Sequence, residues 1–171
     1  SFIGEKVVTE GWTAPRAWLA AFDEAIPFDY YYDGRPSAAV HPVTPNGYTY
    51  VCTKRGITHA STEPTWPTTY LGSGGIAPYA WRTGVTRKVG DYGAPSTRNG
   101  HYYRVTAVAG ADANGYAPVG ASQPTWPTSG GGTVVDGSVT WTEQGSDTGT
   151  YVADGTCEWT CVGPEPVFKD Y

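Results

Sequence analysis

Apolar and polar residues alternate over short stretches through most of the chain, with the period of two that a half-buried strand imposes. Val139 and Trp141 fall on one face of Asp136-Gly137-Ser138-Val139-Thr140-Trp141-Thr142, and Thr140 and Thr142 fall on the other. Cys157, Trp159 and Cys161 share a face in the same way after Asp154-Gly155. Asp-Gly opens both stretches, and it is a tight-turn dipeptide because glycine accepts positive φ. Asn46-Gly47 and Asn99-Gly100 likewise open stretches whose alternate positions are Tyr50/Cys52 and Tyr103/Val105. From about residue 28 to 163 the pattern predicts short strands at even spacing, hence a mainly antiparallel all-β fold. The start departs from it. Trp18, Phe22 and Ile26 recur every four residues between Pro15 and Pro27, which predicts one short N-terminal helix over about 14–26. Pro164 and Pro166 predict that the end, residues 164–171, is an extended arm outside any ladder.

The chain also repeats itself. Pro42-Val43-Thr44-Pro45-Asn46-Gly47-Tyr48-Thr49-Tyr50 returns as Pro95-Ser96-Thr97-Arg98-Asn99-Gly100-His101-Tyr102-Tyr103, an offset of 53. Pro64-Thr65-Trp66-Pro67-Thr68 returns as Pro124-Thr125-Trp126-Pro127-Thr128, an offset of 60, and Trp81 matches Trp141 at that same offset. The change in offset places seven extra residues in the Gly/Ala-rich stretch 109–115, where a loop tolerates length. The Asp136 stretch recurs at Asp154 with an offset of 18. These matches predict an N-terminal arm over 1–27, sandwich- or barrel-like β repeats over 28–80 and 81–145, an added hairpin over 146–163, and the C-terminal arm. The first repeat has Ile76-Ala77 where the second has Asp136-Gly137, so its last hairpin is expected to be altered.

Charge narrows the function. Eleven Lys+Arg against sixteen Asp+Glu give a net charge of −5, which argues against nucleic acid as a partner, since phosphate binding needs a basic face. No apolar run approaches the roughly 20 residues of a membrane-spanning helix. Charged residues are only 16% and aromatics 14%, so the surface is expected to be uncharged and aromatic, and the chain is expected to be folded rather than disordered. Ser1-Phe2-Ile3-Gly4-Glu5-Lys6 does not read as a secretory leader, and a start at Ser1 fits either removal of a methionine or an earlier cleavage. Cys157 stands in the place of Val139 and Cys52 in that of Val105, so the three cysteines are expected to be apolar core residues; a bridge from Cys52 to Cys157 or Cys161 is the alternative.

No residues suggest turnover. Asp136 and Asp154 could be cast as a glycosidase carboxylate pair, but Asp is expected in Asp-Gly turns for geometry alone. No nucleophile elbow, cofactor loop or metal cluster is legible, so catalytic, cofactor and metal residues are all expected to be absent. Asp112-Ala113-Asn114-Gly115 lacks the first and last carboxylates of a calcium loop and reads as a turn. Trp66 and Trp126 stand between prolines. Their fixed distance to Trp81 and Trp141 favours corners that plug the end of each unit, and exposed planes for glycan stacking are the alternative. In Tyr30-Tyr31-Tyr32 alternation sends at least one ring outward, and Tyr31 joins Trp66 and Trp126 as a candidate glycan-stacking aromatic. The termini are rich in apolar residues. Phe2, Trp12, Trp18, Phe22, Phe168 and Tyr171 are candidate anchors for a partner surface, with folding back onto their own domain as the alternative.

The order Asn-Gly-x-x-Tyr, then Gln/Glu-Pro-Thr-Trp-Pro-Thr, then Asp-Gly-x-Val-x-Trp resembles a repeat of tailed-bacteriophage virion proteins: tail fibres, head fibres and capsid decoration proteins. The second copy carries the likeness through Asn99-Gly100, Gln123 to Thr128 and Gly132 to Trp141. The resemblance implies a non-enzymatic virion accessory protein on the particle surface. Its partners would be capsid or tail proteins and copies of itself, and small size favours decoration over a long fibre. A module that recognises host-surface glycan and a self-assembling extracellular filament subunit are the two rivals.

Overall fold

The alternating stretches do form strands, and the computed structural model of the chain, which describes residues 15–20, 24–29 and 39–164, is all-β. The first unit begins with β1 (Arg16–Ala17), β2 (Glu24–Ala25), β3 (Ala39–His41), β4 (Tyr48–Lys54) and β5 (Gly56–Ile57). A second unit, residues 78–148, supplies β6 (Tyr79–Ala80), β7 (Thr86–Arg87), β8 (Tyr92–Ala94), β9 (His101–Val108), β10 (Ala117–Pro118), β11 (Thr133–Asp136) and β12 (Val139–Ser146). The chain then returns to the first unit with β13 (Tyr151–Asp154) and β14 (Cys157–Pro164). The second unit is inserted within the first.

Each unit has the same topology. The first holds a sheet in the order β1-β3-β4-β14-β13 with a separate β2–β5 pair; the second holds β6-β8-β9-β12-β11 with β7–β10. In each, the first strand runs parallel to its neighbour (β1 to β3, β6 to β8) and the other pairings are antiparallel. The hairpin expected as an addition after the second repeat is therefore the closing hairpin of the first. Trp159 pairs with Cys52, Thr160 with Val51 and Cys161 with Tyr50, just as Trp141 pairs with Val105, Thr142 with Arg104 and Glu143 with Tyr103. Ile76-Ala77 is not an altered hairpin; it is where the insertion begins.

The expected helix is also corrected. The described residues between 15 and 29 contain no helix; Arg16–Ala17 and Glu24–Ala25 are strands, and residues 21–23 lie outside the described residues. Pairing decides this: Arg16 and Ala17 join Val40 and His41, and Ala25 is fully buried against the first core. A helical spacing of three apolar residues is a weak local preference that sheet pairing overrides.

Two cores result. The first contains Tyr50, Cys52, Cys157, Trp159 and Cys161, and the second Tyr103, Val105, Val139 and Trp141. All three cysteines are free and buried, so the packing expectation holds and the bridge does not form. Burial pushes the Cys52 and Cys161 thiols up, keeping them protonated and inert.

Arg98 closes the inserted unit. Its guanidinium donates to the Asp147 carboxylate at 3.0 Å and to the Pro78 carbonyl at 2.9 Å, joining the two ends of the 78–148 segment. Both partners of the ion pair are almost fully buried. Removing one partner of such a pair leaves an uncompensated charge, at about 3–5 kcal/mol.

If the insertion is a complete copy, the 78–148 segment expressed alone gives β-rich circular dichroism and a cooperative urea transition. Arg98→Met weakens that transition by about 3 kcal/mol. A disordered isolated segment contradicts the account.

Candidate functional site

The most elaborate side-chain chemistry in each unit centres on one aspartate at the tip of its closing hairpin. Asp136 Oδ2 accepts the indole N–H of Trp81 at 2.8 Å and that of Trp141 at 2.9 Å, and its Oδ1 accepts the Gly120 backbone N–H at 2.8 Å. Asp154 Oδ2 accepts the indoles of Trp18 at 2.7 Å and Trp159 at 2.9 Å, and its Oδ1 accepts the His59 backbone N–H at 2.8 Å. The Asp-Gly turn makes this possible. Gly137 and Gly155 both have positive φ, and a Cβ on either would lie under 3 Å from the backbone at 118–120 or 57–59. The turn tip thus seats directly on the neighbouring loop while its aspartate points in.

Asp136 and Asp154 are consequently more than turn residues. Each is about 2% exposed, with both oxygens engaged by N–H donors. Sequence reasoning missed this use of the aspartates. The signal was present: Ala14-Pro15-Arg16-Ala17-Trp18 matches Ala77-Pro78-Tyr79-Ala80-Trp81, which identifies Trp18 as the first-unit equivalent of Trp81.

Trp18 is accordingly corrected as an interface candidate. It is 6% exposed and donates to a buried carboxylate, so it belongs to its own unit's core. The other anchors, Phe2, Trp12, Phe22, Phe168 and Tyr171, lie outside the described residues, as does Tyr31.

Trp66 and Trp126 form a second repeated device. Tyr50 Oη donates to the Pro67 carbonyl at 2.5 Å and accepts from Asn46 at 3.0 Å; Tyr103 Oη donates to Pro127 at 2.7 Å and accepts from Asn99 at 2.9 Å. Each tryptophan ring packs 4.6 Å from its tyrosine and reaches on to Trp159 or Trp141. Their indoles donate to Glu63 and Gln123, which also accept the backbone N–H of Val43 and Ser96. One side of each half-buried ring is thus committed to the core, the geometry of a corner plug. Burial pushes the Tyr50 hydroxyl up to about 12 and raises that of Tyr103.

At the equivalents of Tyr48 and Cys161 the second unit has an ionisable pair. His101 Nδ1 lies 3.2 Å from the buried Glu143 carboxylate, which also accepts the Gly131 N–H at 3.1 Å. Burial favours the protonated acid, but bonds from His101 and from the Gly131 and Gly145 backbone outweigh it and hold Glu143 below the ordinary 4.5. Asp112 caps its own turn through the N–H groups of Asn114 and Tyr116, as an ordinary turn residue does. Among the described residues no group of His, Cys, Asp and Glu is arranged to hold a metal ion. No protein-family model, curated protein or solved structure matches the chain.

Asp136→Asn turns an amide N–H toward an indole or backbone donor and is expected to destabilise the second unit by about 3 kcal/mol in urea unfolding; Asp154→Asn does the same to the first. Acid stability gives a separate check. A depressed carboxyl stabilises the fold above its unfolded value, and that contribution disappears as pH falls through the lower folded value. The second unit should therefore lose stability below about pH 4.5, with His101 in contact with the group and Tyr102 and Tyr103 near enough to feel its charge, and Glu143→Gln should flatten this acid limb in pH-dependent thermal melts.

Proposed function

We propose that the chain is a non-enzymatic structural component of a tailed-phage virion, a capsid decoration protein or a short head or tail fibre. The observation that carries this reading is the duplicated unit itself. The two copies use the residues of the Asn-Gly-x-x-Tyr, Pro-Thr-Trp-Pro-Thr and Asp-Gly-x-Val/Cys-x-Trp pattern as one corner-and-hub assembly, and this is the pattern that resembles virion repeats. Its polar side chains are spent on holding corners. Asp136, Asp154, Glu63 and Gln123 accept indole and backbone donors, and the tyrosine hydroxyls bind proline carbonyls. A scaffold of this kind is suited to display and assembly. Capsid or tail proteins and further copies of the chain are the partners that fit, and the particle surface is where it would reside.

Purified particles of the phage that encodes the chain test the reading. Quantitative mass spectrometry should find it at fixed copy number per particle, and immunogold electron microscopy should place it on the head or tail surface. Its absence from particles, while it accumulates in infected cells, overturns the proposal. Hydrolysis of a host polysaccharide by the purified chain does so too.

A further inference from the structure

The two units share the aspartate hub and the tyrosine corner and differ over most of the outer face of the sheet. Four register positions run straight across each sheet. In the first unit they are Ala39, Val51, Thr160 and Tyr151, each opposite the next. In the second they are Tyr92, Arg104, Thr142 and Thr133. Ala39, Val51 and Thr160 are buried, as are Thr49, Thr53 and Val162 on the same face. Arg104 and Thr133 are exposed, and Tyr92, Tyr102 and Thr142 are half-buried. The same face is mostly buried in the first unit and partly exposed in the second.

The open face has a specific chemistry. Tyr92 and Tyr102 form a ring pair with centroids 6.1 Å apart at one end of the row. Thr106 and Thr142 are joined by a 2.7 Å hydrogen bond beside it. Arg104 stands in the middle, facing Tyr92 on one strand and Thr142 on the other. It makes no hydrogen bond or ion pair with a described residue, whereas Arg55 pairs with Glu24 and Arg98 with Asp147. The two acids in these strands, Asp136 and Glu143, are both buried and engaged on the core side. Within these strands the face thus presents a cation and no carboxylate; the nearest acid outside them, Asp91 in the turn before Tyr92, has its carboxylate engaged by the Lys88 backbone N–H.

We infer that this face of the second unit binds a linear polysaccharide bearing carboxylate groups, with Tyr92 and Tyr102 as the ring platform, Arg104 as the carboxylate partner and the threonines as hydroxyl contacts. The row spans three strand spacings, about 14 Å, so an extended oligosaccharide fits across it. A planar guanidinium takes a carboxylate through paired hydrogen bonds. Tyrosine offers an apolar ring with a polar tip, which suits a partner that stays wet. A protein partner would call for an apolar centre to the patch, and the aliphatic residue here, Val135, is at the edge strand. This binding role goes beyond the virion reading and holds whatever particle carries the chain.

The full chain is titrated with oligogalacturonate by isothermal calorimetry, with a neutral cello-oligosaccharide and polyglutamate as the other arms. Saturable binding of oligogalacturonate is expected, at least tenfold tighter than either comparison ligand. Arg104→Gln and Tyr92→Ala should each weaken it at least tenfold, with the fold checked by unchanged tryptophan indole resonances. These side chains are on the open face, so the variants are expected to fold. Absence of oligogalacturonate binding overturns the proposal. So does binding unaffected by both variants, and so does equal binding of polyglutamate, which would make the effect one of charge alone.

Discussion

A buried carboxylate that accepts two indole N–H groups and a backbone N–H is the constraint on which each unit depends. In the first unit it joins segments far apart in sequence: Trp18 just after β1, His59 from the loop after β5, and Trp159 from the last strand all meet Asp154. In the second, Trp81, Gly120 and Trp141 meet Asp136. Large aromatic cores bring polar N–H groups inside, and these must find acceptors or forfeit about 1–3 kcal/mol each. One aspartate at a turn tip answers two of them at once. The turn glycine lets that tip approach the loop closely enough for the third bond.

Much of this was legible in the chain. The duplication, the turn dipeptides and the equivalence of Cys52 with Val105 and Cys157 with Val139 all correspond to structure. The insertion was not. Asp154-Gly155 follows Asp136-Gly137 closely in sequence, so it reads as a tandem addition, although its partner strand is β4 about a hundred residues earlier. Strand pairing is non-local, and local pattern carries no information about which partner a hairpin chooses. Trp18 was misjudged for a related reason. The four-residue spacing to Phe22 and Ile26 suggested a helix, while the Ala-Pro-x-Ala-Trp match to residues 77–81 identified a strand end.

The inner and outer surfaces of the units have separate logic. Inside, the aspartate hub and the tyrosine-to-proline bond recur position by position, because each closes a buried donor or acceptor, and on the outer face only the threonine pair (Thr53–Thr160, Thr106–Thr142) recurs with them. At the other outer positions nothing in the unit's own closure fixes the residue, and Val51 and Arg104 occupy the same register position. The inserted copy also has two features the other lacks, the Arg98–Asp147 clasp and the His101–Glu143 pair. Insertion supplies a reason for the clasp: a domain entering through a loop must hold its own ends together.

The shared hub is tested most directly by indole N–H resonances in a nitrogen–proton correlation spectrum of the full chain. Asp136→Asn should move the signals of Trp81 and Trp141 and leave those of Trp18 and Trp159 in place, and Asp154→Asn should do the reverse. A Trp18 resonance that ignores Asp154→Asn would contradict the account, because the first unit would then not be a copy of the second.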